Sequence, residues 1–92
     1  MLGLAMRAGK VASGEFATEK AVKEYKAYLV IVAAEASENT QKKFRNMCQF
    51  YKVPYLVLGT KEELGSIIGK EYRASLAVCD ENFAKVIREH LE

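Results

Sequence analysis

The stretch of residues 9–20, GKVASGEFATEK, contains the residue types best suited to chemistry in this chain. Ser13 and Gly14 stand where we expect a helix to begin, and Lys20 and Lys23 follow along it. A helix N-terminus offers unpaired backbone N–H groups and the positive end of the helix dipole. Because Gly14 has no side chain, an anionic backbone can approach those groups closely. The pattern favours a phosphate chain, and the alternative is an ordinary capped helix with solvated lysines.

Residue patterns that support catalysis are scarce. His90 is the only histidine and lies close to the C-terminal end of the sequence, where a fixed catalytic geometry is rare. The acidic pairs at 62–63 and 80–81 fall in predicted first helical turns, where carboxylates complement the helix dipole. Phosphate-binding glycine motifs of the Walker and dinucleotide types are absent from the sequence. We therefore expect no enzyme activity, no cofactor and no metal site.

Charge and cysteine content restrict the class of protein further. Lys and Arg together number 14 against 12 Asp and Glu, so the net charge is only +2, and a polyanion site must come from clustering. Cys48 and Cys79 have no C-x-x-C spacing, which favours buried free thiols in a reducing compartment. The apolar run at 28–36 is too short to span a bilayer and contains Glu35. We expect a cytoplasmic protein without a membrane partner.

The elements that must position these residues alternate between helix and strand. We predict strands at 11–12, 28–34, 53–58 and 75–79, with the first at an edge and the second and third buried. We predict helices at 1–8, which stops at Gly9, and at 15–26. A third helix is capped by Ser37, a fourth runs from the Thr60–Glu63 capping box through Ile68 and ends at Gly69, and a fifth is capped by Asp80.

Helical periodicity is clearest in the segment after Ser37. Phe44, Met47, Cys48 and Tyr51 fall at i, i+3, i+4 and i+7, which is typical of a helix face buried in a core. Strands that alternate with helices predict an α/β protein in which one sheet lies between two helix layers. We expect residues 1–92 to form one domain.

Three segments carry a resemblance to a known family. They are LGLAMRAGKVASGE, YLVIVAAEASENTQKKF and VPYLVLGTKEELGSIIGKEYRASLAV, and the third contains the pattern K-x-x-L-G-x-x-x-G at 61–69. The chain resembles the ribosomal L7Ae/L30e superfamily of kink-turn RNA-binding proteins, and within it the small bacterial YlxQ-type members. The resemblance covers nearly the whole sequence and preserves the order of its elements.

The resemblance implies a fold and a way of binding RNA. The fold would be a three-layer α/β/α sandwich with a small mixed four-stranded sheet. Members bind sharply kinked internal loops beside tandem sheared G·A pairs. One helix N-terminus enters the RNA, and a loop before the last strand closes over an extruded base. Splayed RNA of this kind exposes base edges that regular A-form helices hide.

Matched positions supply the candidate RNA-binding residues. Gly14 matches the glycine that begins the RNA-reading helix, and Thr18 and Lys20 match the family's G-x-N-E-T-x-K pattern. The candidates in the first half are Gly9, Lys10, Ser13, Gly14, Glu15, Phe16, Thr18, Lys20 and Lys23. Those in the loop at 70–75 are Lys70, Glu71, Tyr72 and Arg73.

The chain departs from the family pattern at two positions. The Asn and Glu of the pattern fall on Phe16 and Ala17, whose side chains form no hydrogen bonds. General RNA binding is therefore better supported than kink-turn recognition. We interpret Phe16 as a core residue, with base stacking as the alternative. For Tyr72, stacking on a flipped base and a half-exposed position at the strand entry stay equally open.

These patterns predict a non-catalytic RNA-binding protein of ribosomal type. Its partner would be structured RNA, in the first place ribosomal RNA, with ribosome or other ribonucleoprotein components as further partners. The alternative is a protein–protein interaction module that kept the fold and lost specific RNA reading, with Phe16 and Tyr72 in an apolar docking patch.

Overall fold

A mixed four-stranded sheet is the central element of the computed structural model, which describes residues 9–67 and 72–91. The strands are β1 (Val11–Ser13), β2 (Leu29–Val32), β3 (Tyr55–Val57) and β4 (Ser75–Val78). The helices are α1 (Glu15–Lys23), α2 (Glu38–Tyr51), α3 (Lys61–Ile67) and α4 (Glu81–Leu91). The predicted helix at 1–8, the predicted helix end at 68–69 and the candidates Lys70 and Glu71 lie outside the described residues.

The sheet has the strand order β1-β4-β2-β3. β4 pairs antiparallel with both β1 and β2, whereas β2 and β3 are parallel. Every residue of the two central strands is buried, since each is covered on both faces. The prediction of an edge strand near residues 11–12 is confirmed, with Val11 opposite Val78.

Helices cover both faces of the sheet. On one face, Val22 of α1 and Phe44 and Cys48 of α2 pack with Val30 and Ala77 of the central strands. On the other face, the buried residues of α3 and α4 are Leu64, Ala84 and Ile87, which pack with Leu29, Ile31, Leu76 and Val78. The prediction of an α/β/α sandwich with a mixed four-stranded sheet is confirmed.

Side-chain caps set the starts of three helices. Ser37 Oγ accepts a hydrogen bond from the backbone N–H of Thr40 at 3.1 Å, and Asp80 Oδ1 accepts one from the backbone N–H of Phe83 at 3.0 Å. At the start of α3 the backbone N–H of Glu63 donates to Thr60 Oγ1 at 3.0 Å, and that of Thr60 donates to Glu63 Oε1 at 3.1 Å. The reciprocal pair is the predicted capping box.

Two predicted elements differ from the structure. Helix α1 ends at Lys23 rather than at residue 26, because Tyr25 adopts a left-handed conformation with φ 59° that no continuing helix allows. The predicted buried strand at 53–58 is β3, an edge strand that pairs only with β2 and exposes Val57. Continuous apolar sequence therefore did not distinguish a central strand from an edge strand.

The two cysteines are free but lie in different environments. Cys48 is buried, and burial raises the pKa of its thiol to about 11. Cys79 is only half-buried, and desolvation raises its thiol pKa as well. The prediction of free thiols is confirmed, whereas full burial holds for Cys48 alone.

Candidate nucleic-acid interface

Helix α1 begins in a backbone conformation that suits glycine. Gly14 is the N-cap residue, with φ 93° and ψ 162°, and no side chain accepts a capping hydrogen bond there. Its own N–H donates to Ser75 O at 3.0 Å, which fixes the start of α1 against β4. Among the residues that the structure describes, a Cβ added at Gly14 would meet no atom within 4 Å. The first N–H groups of α1 have no partner within the helix, and Gly14 presents no side chain at the N-cap position.

The segment that enters β4 lies beside this helix start. Arg73 Nε donates to Ser13 Oγ at 3.4 Å, and Arg73 Nη1 donates to Tyr72 O at 2.6 Å. The backbone N–H of Arg73 donates to Lys61 O at 3.1 Å, which holds the segment against α3 as well. Tyr72 is 61% exposed. The structure thus brings together two segments that are sixty residues apart in the chain.

Phe16 does not belong to the core. Its side chain is 80% exposed, so the preferred interpretation of Phe16 as a core residue is wrong. The buried residues of α1 are Thr18, Ala21 and Val22, which face the sheet. Two residues correspond to about 200° around a helix, so Phe16 points away from the side on which Thr18 lies. The alternative of an exposed aromatic available for stacking remains.

An open depression runs along the outer face of α1. It has a volume of about 320 Å³ and is lined by Phe16, Glu19, Lys20, Lys23 and Glu24. Phe16, Lys20 and Lys23 recur at i, i+4 and i+7, so they share one helix face. Lys20 is exposed, and Lys23 Nζ lies 2.9 Å from Glu19 Oε1. The face combines an aromatic ring with two ammonium groups.

Thr18 occupies the opposite side of α1. Its side chain is fully buried, and neither its hydroxyl nor that of Ser75 has a hydrogen-bond partner among the described residues. The match to the family's threonine therefore places this hydroxyl within the core face of α1 and not on the outer surface with Lys20. A position in a sequence motif does not by itself indicate on which side of a helix the residue lies.

Gly9 and Lys10 lie at the other end of β1 from Gly14. The carbonyl oxygen of Lys10 accepts a hydrogen bond from the backbone N–H of Cys79 at 2.7 Å, next to the last residue of β4. The three residues of β1 separate Lys10 from Gly14 by four strand rises, roughly 13 Å. The structure therefore does not gather Gly9 and Lys10 around the start of α1.

Sequence reasoning missed an ion-pair network beside the depression. Lys43 Nζ of α2 lies 3.1 Å from Glu15 Oε1 and 2.9 Å from Glu19 Oε2. Hydrogen bonds from Lys23 and Lys43 lower the pKa of the Glu19 carboxyl, and hydrogen bonds to Glu19 and Glu15 raise the pKa of the Lys43 ammonium. Lys43 and Lys23 together therefore balance the charge of the two carboxylates next to Lys20. The only sequence signal of Lys43 was its place on the outer side of a predicted helix.

The part of the chain that the structure describes contains neither a metal-binding cluster nor a membrane-spanning helix. No group of three or more His, Cys, Asp or Glu side chains there is arranged to hold a metal ion. Among the same residues, no helix is long and apolar enough to cross a membrane.

Comparison with known proteins supports the assignment of the fold. Residues 1–88 match the model of the ribosomal protein L7Ae/L30e/S12e/Gadd45 family. The chain is 46% identical over 84 residues to the RNA-binding protein YlxQ of Bacillus subtilis, covering 91% of this chain and 84% of that protein. It is 41% identical over 92 residues to the RNA-binding protein YlxQ of Enterococcus faecium, covering 100% of this chain and 88% of that protein.

Solved structures give the same result. A protein with unknown function from Bacillus halodurans C superimposes with a TM-score of 0.92 at 36% identity, covering 96% of this chain and 89% of that one. The Giardia lamblia 15.5kD RNA binding protein superimposes with a TM-score of 0.82 at 20% identity, covering 98% of this chain and 77% of that one. With this sheet, these helix layers and a family match over nearly its whole length, the chain belongs to the ribosomal protein L7Ae/L30e/S12e/Gadd45 family.

Proposed function

We propose that this protein is a non-catalytic RNA-binding protein that contacts structured RNA through the N-terminus of α1 and the loop at 70–75. The observation that carries the proposal is the glycine N-cap of α1 at Gly14, with Arg73 and Tyr72 beside it and Phe16 and Lys20 exposed along α1. Two relatives at 46% and 41% identity are named RNA-binding proteins, which supports the same conclusion.

Phosphate binding would use backbone groups and cations together. The first N–H groups of α1 carry the positive end of the helix dipole, and Gly14 has no side chain to hinder an approaching phosphate. Lys20, Lys23 and Arg73 would add charge. Because Arg73 is held by Ser13 Oγ and Tyr72 O, little side-chain freedom remains for RNA to remove. Such contacts position RNA without reading its sequence.

The exposed aromatics suit bases that leave the helical stack. Phe16 and Tyr72 both expose rings near the start of α1, and stacking of one base on a ring contributes about 1–3 kcal/mol. Phe16 and Ala17 stand where the family pattern has the Asn and Glu that hydrogen-bond to base edges. Each lost hydrogen-bonding side chain removes roughly 1–3 kcal/mol of discrimination between bases. We therefore propose structured RNA, in the first place ribosomal RNA with an unpaired base, as the partner. Free thiols at Cys48 and Cys79 fit a cytoplasmic site of action.

Binding at several salt concentrations tests this proposal. Three RNAs serve as ligands: a standard kink-turn, the same RNA with its G·A pairs replaced, and a plain duplex. We expect the kink-turn and its altered form to bind better than the duplex, with affinity falling steeply as salt rises. Absence of binding to all three at low salt contradicts the proposal.

A lysine variant tests the site itself. Lys20→Ala removes an exposed ammonium from the outer face of α1, so we expect the slope of log K against log salt to fall by about 0.7–0.9. Lys85→Ala on α4, on the other side of the sheet, is the matched control and should leave the slope unchanged. Equal slopes for wild type and Lys20→Ala would remove Lys20 from the interface.

A protein-interaction module is the second candidate. The exposure of Phe16 and Tyr72 favours it, because large exposed apolar side chains also mark protein docking sites. Salt separates the two functions, since burial of an apolar interface depends weakly on ionic strength whereas polyanion binding depends on it strongly.

A further inference from the structure

An exposed aromatic cluster lies at the C-terminal ends of α1 and α2. Tyr51 packs edge to face with Tyr25 at a centroid distance of 5.3 Å and with Phe50 at 5.0 Å. Tyr51 is half-buried against the core, whereas Tyr25 and Phe50 are 75% and 77% exposed. Tyr51 therefore fixes one side of two rings whose remaining surface faces solvent.

Both helices end on a left-handed residue that is not glycine. After α1, the backbone N–H of Lys26 donates to Ala21 O at 2.9 Å and that of Tyr25 donates to Val22 O at 3.1 Å, while Tyr25 has φ 59°. This is a Schellman motif, in which glycine normally occupies the left-handed position. After α2, Lys52 has φ 59° and the backbone N–H of Val53 donates to Cys48 O at 2.9 Å.

The side chains at these two left-handed positions are both of kinds that bind nucleic acid. A bulky residue at positive φ is a conformational outlier, and such outliers concentrate where function requires the side chain. Here the side chains that glycine would lack are an aromatic ring at Tyr25 and an ammonium group at Lys52. Rings and ammonium groups side by side are the two components of a surface for single-stranded nucleic acid.

The outer face of α1 connects this cluster to the proposed RNA site. Helix α1 has nine residues, so its two ends are about 13 Å apart. Phe16, Lys20 and Lys23 mark the face between them, and Lys26 and Lys52 lie beyond its end. The nearby carboxylates are already paired, Glu19 with Lys23 and Lys43, and Glu24 with Lys26 at 3.1 Å. Five lysines against Glu15, Glu19 and Glu24 leave this side positive.

We propose that a single-stranded RNA segment continuing from the structured element runs along the outer face of α1 and stacks its bases on Tyr25 and Phe50. Lys20 and Lys52, which form no ion pair among the described residues, hold its phosphates. The inference rests on the proposed function, since the structured element must first dock at Gly14. The positive charge around the rings favours an RNA strand over an apolar protein segment, and stacking on two rings makes the contact tolerant of base sequence.

Three RNAs test the inference: a kink-turn RNA with blunt ends, the same RNA with a six-uridine 5′ extension, and the same RNA with a six-uridine 3′ extension. We expect one extension to tighten binding by wild type at least about 30-fold, as one base stacked on each of the two rings predicts. Tyr25→Gly and Phe50→Ala should each lower that gain by at least about 5-fold and leave affinity for the blunt RNA within two-fold. Phe50→Tyr should retain the gain.

The variants are chosen so that folding does not explain the result. Tyr25→Gly places the preferred residue at a left-handed position, so we expect its Tm to be no lower than that of wild type. Val57→Ala truncates an exposed apolar side chain on the edge strand β3 and should keep the full gain. Lys52→Asn keeps a residue that tolerates positive φ but removes a charge, and should reduce the salt dependence of the extended complex alone.

Each outcome has a distinct meaning. Binding of the blunt RNA without any gain from either extension overturns the inference and leaves the proposed function intact. Equal gains for wild type, Tyr25→Gly and Phe50→Ala also overturn it, because the extension then contacts another surface. Failure of wild type to bind all three RNAs at low salt overturns both the inference and the proposed function.

Discussion

Gly14→Ala isolates the backbone conformation on which the proposed interface depends. Gly14 has φ 93° and ψ 162°, a region occupied almost only by glycine. An added Cβ meets no atom of the described residues within 4 Å, so we expect no steric collision with that part of the protein. The whole effect must come from the local backbone.

Two responses to the substitution are available, and both have a similar cost. If the backbone keeps its conformation, strain at an alanine costs about 1–3 kcal/mol. If it rotates to negative φ, it disturbs the hydrogen bonds from Gly14 N to Ser75 O and from Thr18 N to Gly14 O, each 3.0 Å long. Two such bonds are together worth about 1–3 kcal/mol. We therefore expect the free energy of unfolding to fall by about 2 kcal/mol.

Chemical and thermal denaturation measure this loss. For a domain of this size, 2 kcal/mol corresponds to a fall in Tm of roughly 8–16 °C, and the urea midpoint should fall without a change in slope. Gly9→Ala is the matched control, since Gly9 also has an open Cβ position but lies at φ 71°, where alanine costs about 1–2 kcal/mol. A loss below about 0.5 kcal/mol for Gly14→Ala refutes the reasoning.

Three further variants or measurements follow from single contacts. Thr18→Val replaces an unpaired buried hydroxyl by a methyl group, so urea denaturation should show unchanged or higher stability, by up to about 1 kcal/mol, with unchanged RNA affinity. Lys43→Met should cost less than about 1 kcal/mol at neutral pH, because its ion pairs are 26–54% exposed. The pKa of Glu19 is lowered in the folded protein, so its contribution is present above its ordinary value of 4.5 and is lost as pH falls through the lower folded value. The stability difference between wild type and Lys43→Met should therefore shrink in acid. The pKa of Cys48 rises from 9.0 to about 11, so iodoacetamide at pH 8 should alkylate it about 100-fold more slowly in the folded protein than in urea. Equal alkylation rates would contradict its burial.

Local sequence signals predicted the elements that local physics determines. The caps at Ser37, Thr60 and Asp80 were readable because their hydrogen bonds join residues within one helical turn. The end of α1 could not be predicted in this way, because tyrosine rarely adopts the left-handed conformation that Tyr25 has. Its ring packs on Tyr51 of α2, a contact between two helices that the local sequence does not indicate. The exposure of β3 was equally hidden, since strand order is a property of the whole sheet.

The candidate site was predicted in its parts but not in its arrangement. Ser13 and Arg73 were both candidates, yet their contact across sixty residues depends on the pairing of β1 with β4. Phe16 was assigned to the core because it was expected to share its side of the helix with Ala21 and Val22, five and six residues later, whereas these two residues are buried and Phe16 is exposed. Thr18 matched a motif but faces inward. The differences at Phe16 and Thr18 concern which way α1 is rotated against the sheet, and motif spacing alone does not contain that angle.

The exchange of hydrogen-bonding residues for Phe16 and Ala17 has a consequence for specificity. A base-edge reader and a stacking ring contribute similar free energies, about 1–3 kcal/mol each, but only the first distinguishes one base from another. Since Phe16 is exposed next to Lys20, we expect the outer face of α1 to recover the RNA affinity that the missing base-edge hydrogen bonds would supply. Stacking on Phe16 would not recover the ability to distinguish one base from another. Selectivity must then come from RNA shape: a regular duplex offers phosphates but no free base face, whereas a kinked or unpaired segment offers both. The sequence departure from the family pattern therefore predicts a protein that prefers RNA with an extruded base and tolerates which base it is.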